Sequence, residues 1–141
     1  MRAKWMTVAG AAMAAWAAQG LPASAELVPW KAELTGAAQV PPVAGEGKGT
    51  LEASYDSATK VFIWTITYSG LSGPVTAAHI HGPVDPGKNG PIVIPIGGPF
   101  TSPIRGQATL TSDQADALKR GVYLDLHTAQ NPEGEIRGEL K

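Results

Sequence analysis

The hydrophobic positions of this chain recur every second residue in short runs, and the clearest run is Val61 to Tyr68. Phe62, Trp64, Ile66 and Tyr68 alternate there with Val61, Ile63, Thr65 and Thr67, so one face is large and apolar and the other mixed. That period of two is the mark of a half-buried β-strand. Further runs of strand composition lie at residues 31–36, 48–55, 75–81, 92–96, 104–110, 122–128 and 134–140, with glycine and proline punctuating the gaps. Asp56 to Thr59 reads as the hairpin turn into the 61–68 strand. Residues 26–30 read as a loose arm ahead of the first strand. One segment has a different logic. Thr111 and Gln114 stand at capping-box spacing, Leu118 supplies an apolar contact and Gly121 a stop, which predicts one short connecting helix. About eight short strands with turns between them predict an all-β, antiparallel sandwich or barrel.

Residues 1–25 follow another pattern. Arg2 and Lys4 precede an almost wholly apolar, Ala-rich stretch, and Ala23-Ser24-Ala25 offers small residues for cleavage. This is the pattern of a secretory signal peptide, too short and too alanine-rich for a membrane span. The expected mature chain, residues 26–141, is a single domain of 116 residues, periplasmic or secreted, with no membrane association after cleavage. It contains no cysteine, so its core must hold without disulfides in an oxidising compartment. The eleven basic residues include Arg2 and Lys4; without them nine face twelve acids, a balance of −3 with histidine neutral. No basic patch forms, which argues against a nucleic-acid partner. Met1, Met6 and Met13 are the only methionines and all lie in the leader, so the mature domain offers metals no sulfur at all.

What it does offer is imidazole. All three histidines fall in two motifs, Ala78-His79-Ile80-His81-Gly82-Pro83 and Leu124-Asp125-Leu126-His127-Thr128. His79 and His81 are two apart on a strand, so they leave the same face, opposite Ile80. In the 122–128 strand, Asp125 and His127 share a face with Tyr123, opposite Leu124 and Leu126. Placing Ile80, Leu124, Leu126 and Ile136 in the core puts His79, His81, Asp125, His127, Glu135 and Arg137 on the outer side. Residues 82–91 are then available to roof the site. Neutral imidazole is a common metal ligand, and three of them on neighbouring strands would form a three-histidine site. His79, His81 and His127 are the candidate ligands. Asp125 and Glu135 are expected behind them, taking up the outward ring N–H groups, with Tyr123 and Arg137 nearby. Arg137, between Glu135 and Glu139, reads most simply as a structural ion pair. The glycine-rich stretches 45–49 and 97–98 match no phosphate-binding pattern and read as turns.

Taken together, Gly36-Ala37-Ala38-Gln39-Val40-Pro41-Pro42, Ala77 to Pro83, Gly121-Val122-Tyr123, His127-Thr128 and Pro132 to Gly138 resemble a CHRD domain. This module is named from the extracellular protein chordin and is also found alone in bacterial exported proteins. The resemblance runs in order over residues 31–140 and implies an immunoglobulin-like or superoxide-dismutase-like sandwich. The His-x-His pair is similar, locally, to that of copper–zinc superoxide dismutases. Three histidines and no cysteine are too few for that enzyme's paired metals and disulfide.

Three functional readings follow. The first is an exported protein that holds copper, or alternatively zinc, for sequestration or handling; nitrogen ligands suit both, and the lack of sulfur disfavours a dedicated copper(I) carrier. The second is a mononuclear metalloenzyme, with copper redox or zinc hydrolytic chemistry at an open fourth position, as in carbonic anhydrases. No nucleophile motif or substrate pocket is legible, so holding the ion ranks ahead of turnover. The third is an extracellular interaction module with incidental histidines.

Overall fold

The structure, a computed structural model, describes residues 26–141; the expected leader lies outside the described residues. The described residues form eight strands in order: β1 Leu27–Thr35, β2 Lys48–Asp56, β3 Val61–Ser69, β4 Val75–His81, β5 Ile92–Ile96, β6 Ile104–Thr109, β7 Tyr123–Thr128 and β8 Ile136–Glu139. Among the described residues a single α-helix, α1 Ser112–Arg120, links β6 to β7, and a 3-10 turn at Gly36–Ala38 follows β1. The strands pair antiparallel in the order β5-β4-β7-β8-β1-β2-β3-β6, and the sheet curls into a nearly closed sandwich.

The alternation decides which face goes in. Phe62, Trp64 and Ile66 of β3 are buried, while Ile63 between them is exposed. They meet Leu34, Leu51 and Ile104 from the same half and Ile80, Ile94, Leu124, Leu126 and Ile136 from the other. Each such aliphatic side chain removed from water contributes on the order of 1.5–3 kcal/mol. The first strand begins earlier than the sequence pattern suggests. Leu27 to Trp30 pair with Asp56 to Ala53 of β2, so residues 27–30 are strand and not a loose arm. Pro29 interrupts the composition signal there, yet a proline fits a strand where its missing N–H is not needed.

The connections use the expected chemistry. Asp56 Oδ1 accepts from the backbone N–H groups of Ala58 (2.8 Å) and Thr59 (3.2 Å), which closes the β2–β3 turn. Thr111 accepts from Gln114 N while Gln114 Oε1 accepts from Thr111 N, a complete capping box. Gly121, at φ 102°, ends the helix in a conformation that a side chain would strain. The helix buries Ala115, Ala117 and Leu118, and Gln114 Nε2 donates to Val93 O of β5.

One strand differs from the rest. All six residues of β7 are buried, on both faces. Leu124 and Leu126 enter the core, and Tyr123, Asp125 and His127 are covered from the opposite side by loops.

Candidate metal centre

β4 and β7 are hydrogen-bonded neighbours, with Ala77 opposite His127, His79 opposite Asp125 and His81 opposite Tyr123. Same-face residues on adjacent strands stand side by side, so this register gathers four polar side chains behind the core. His79, His81, Asp125 and His127 each present a nitrogen or oxygen, and these atoms all lie within 4.8 Å of one another. His127 Nε2 is 2.9 Å from Asp125 Oδ1 and 3.2 Å from His79 Nδ1, and His81 Nε2 is 3.0 Å from the same Asp125 Oδ1.

The outward nitrogens are fixed by backbone. His81 Nδ1 donates to Gly90 O at 2.9 Å, and His127 Nδ1 donates to Pro132 O at 2.8 Å. Each therefore faces an acceptor on both sides, a carbonyl outside and the Asp125 carboxylate inside. A neutral imidazole has a single N–H and can satisfy only one of them. Either the rings carry an extra proton or a cation stands between nitrogen and carboxylate. A metal ion removes the conflict, since both inward nitrogens and Oδ1 then act as lone-pair donors. The spacing suits it in part: ligands about 2.0–2.1 Å from a tetrahedral zinc stand about 3.3 Å apart, close to the 2.9, 3.2 and 3.0 Å of these three pairs, within a cluster that spans up to 4.8 Å. The cluster can thus hold a metal ion.

Protonation follows the same contacts. Burial and the neighbouring His127 lower the His79 pKa, with Asp125 only partly opposing them. The hydrogen bond to Asp125 raises that of His127 against the effect of burial. Burial works to raise the Asp125 pKa, but hydrogen bonds from His127 and His81 outweigh it and hold the carboxyl below its ordinary value.

The expected supporting residues divide. Asp125 stands among the nitrogens, with Oδ1 at the centre and not behind an outward N–H. The positions behind His81 and His127 belong instead to the Gly90 and Pro132 carbonyls. Glu135 makes no hydrogen bond to the histidines; its carboxylate accepts from Ser72 N (2.9 Å) and Ser72 Oγ (3.1 Å), which ties down the turn before β4. Tyr123 does adjoin the site, stacked on His81 with ring centroids 4.9 Å apart and planes 4° apart. Arg137, fully buried, places its guanidinium 3.4 Å over the Tyr123 ring. It donates to Glu139 Oε1 (2.7 Å), Asn89 Oδ1 (3.1 Å) and Lys88 O (2.9 Å), so its carboxylate partner is Glu139. The 82–91 loop does cover the site. Gly90 receives His81 and donates its own N–H to Tyr123 Oη, and Asn89 Nδ2 donates to Val40 O.

One neighbour was not legible in the spacing. Gln39, 5% exposed, lies close to Asp125 across Gly134, as described below. Its sequence signal is membership of the Gly36–Pro42 run, which says nothing about where the side chain ends. A cleft of about 630 Å³ opens elsewhere, lined by Lys31, Glu33, Thr50, Glu52, Glu139 and Lys141 among others; none of the four cluster residues lines it. Among the described residues no helix is long and apolar enough to cross a membrane.

Comparison with curated proteins and with solved structures returned no match. The family model for the CHRD domain matches residues 30–140, from the middle of β1 to the end of the last strand, a span that includes all four cluster residues. The chain belongs to the CHRD domain family.

Proposed function

We propose that this is an exported metal-handling protein whose His79, His81, Asp125 and His127 hold one divalent transition ion, copper(II) with zinc as its competitor. The observation that carries the reading is the donor–acceptor conflict at His81 and His127, each flanked by acceptors at both ring nitrogens. Three nitrogens, one carboxylate oxygen and no sulfur suit copper(II) or zinc. Intrinsic affinity favours copper(II), while a tetrahedral arrangement favours zinc. Four protein ligands leave no position open in a tetrahedron, which supports retention or transfer of the ion over catalysis. The charged start and apolar stretch of residues 1–25 support export.

Titrating copper(II) and zinc into protein that carries no histidine tag is expected to give a stoichiometry near unity for each, with copper displacing zinc. Replacing His79, His81, Asp125 or His127 singly by Ala is expected to weaken binding roughly 100-fold or more, since each removes a direct ligand. Binding of less than ~0.1 equivalent of either metal by the unmodified protein defeats the proposal.

A further inference from the structure

The Asp125 carboxylate has two oxygens, and the contacts above occupy only one of them. Oδ1 faces the imidazoles; Oδ2 points back towards the β7–β8 turn, where Gly134 adopts φ 113°. A Cβ on Gly134 would collide with Gln39 Nε2 and stand 3.1 Å from Asp125 Oδ2, so both atoms lie within 3.1 Å of one point. The missing side chain is what lets the amide and the carboxylate approach. Gln39 is brought there by the turn after β1, where Gln39 N and Val43 N both donate to Gly36 O. Its Nε2 is buried without any hydrogen-bond partner. Leaving a buried amide N–H unpaired is costly, so its persistence here calls for a partner in some state of the protein.

Resting on the reading of the cluster as a metal site, we infer that Gln39 is the positioning residue for Asp125, its side-chain amide donating to Oδ2 when Oδ1 carries the ion. A carboxylate bound through one oxygen keeps negative charge on the other and can swing to a two-oxygen mode unless that second oxygen is held. Outer hydrogen bonds of this kind orient ligands and tune affinity. A neutral amide is suited to the task. Lysine or arginine in its place would cancel the carboxylate charge and repel the cation it is meant to hold. A second carboxylate would repel Asp125.

The inference separates Gln39 from a residue that only fills space. With no metal bound, its amide is unpaired, so Gln39→Met should leave the metal-free Tm unchanged or raise it. The same variant should bind zinc roughly 10–100-fold more weakly and shift the visible d–d bands of bound cobalt(II). Unchanged zinc affinity and an unchanged cobalt spectrum overturn the inference. So does a fall in the metal-free Tm with affinity retained, because that is the signature of packing alone. A measurement on the unmodified chain needs no variant: the Gln39 side-chain NH2 resonances should move on adding zinc and stop at saturation. Resonances that stay still overturn the assignment. If wild type binds zinc and the ligand variants do not, while Gln39→Met matches wild type, this inference fails and the metal site stands. If wild type binds no metal, both fail.

Discussion

At the scale of residues, the chemistry of the site is a matter of which atom faces which. Asp125 and His127 are two apart on β7 just as His79 and His81 are on β4, and alternation alone puts each pair on one face. That much was legible in the sequence, including the facing of the three histidines away from Ile80 and Leu126. What alternation could not supply is the register, which sets His79 against Asp125 and so brings the carboxylate among the nitrogens. Nor could it show that the outward ring nitrogens go to Gly90 and Pro132 carbonyls, since loop backbone has no sequence pattern. The pKa directions make binding proton-linked. His127 is held protonated above its ordinary range by Asp125, so a metal must displace that proton. Zinc affinity should therefore rise with pH between about pH 5 and about pH 8, with a proton released on binding. Isothermal titration in buffers of different ionisation enthalpy checks this; a pH-independent affinity over that range contradicts it. The metal-free fold carries the opposite linkage at His127. A raised pKa gives stability that is present below the ordinary histidine value and lost as pH climbs through the folded one. The lowered pKa of Asp125 gives stability that is present above the ordinary carboxylate value and lost as pH falls.

Elements show where local sequence rules suffice and where they stop. The α1 capping box was readable from Thr111 and Gln114 because each partner bonds within one turn. Thr111→Ala should cost about 1 kcal/mol in urea unfolding, with zinc affinity unchanged because the helix lies outside the site. A larger loss accompanied by weaker binding would show that α1 supports the centre directly. The arm expected at residues 26–30 is strand because pairing with β2 outweighs the break that Pro29 puts in the pattern. The 82–91 loop was recognisable as a roof from its position, but its fastenings were not. They join residues far apart in the chain: Gly90 to Tyr123, Asn89 to Val40, Lys88 and Asn89 to Arg137. Tyr123→Phe removes the acceptor for the Gly90 N–H and keeps the ring stacked on His81. Amide exchange at Gly90 should accelerate about tenfold. Zinc affinity should hold within a few-fold. Unaltered exchange would mean that the hydroxyl contributes nothing to seating the loop.

For the molecule as a whole, the eight-strand antiparallel design was legible because most strands carry their own period and turn residues separate them all. The strand order was not, since β4 lies beside β7, and β8 beside β1, through contacts between distant parts of the chain. Arg137 joins these parts. From β8 it reaches Glu139, the 82–91 loop and the ring of Tyr123 on β7. Arg137→Met should destabilise the domain by about 3 kcal/mol in denaturant unfolding, because it removes a fully buried charged group from a formed network and leaves the part-buried acceptors at Lys88, Asn89 and Glu139 without their donor. A loss below about 1 kcal/mol would mean that the loop and Glu139 are rehydrated freely. The double burial of β7 has a further consequence, one of traffic. Asp125 is the deepest of the four, with its side chain 4% exposed, His127 and His81 are covered alike at 11% and 13%, and His79 on β4 is half-buried. The covering is thus tightest at Asp125, and the direction least obstructed for an ion held among the four is past the His79 ring. The rate at which a chelator strips it is then set by the mobility of the His79 ring and of the 82–91 loop, and not by the unfolding of the domain. One side of the site is an anchor and the other a door.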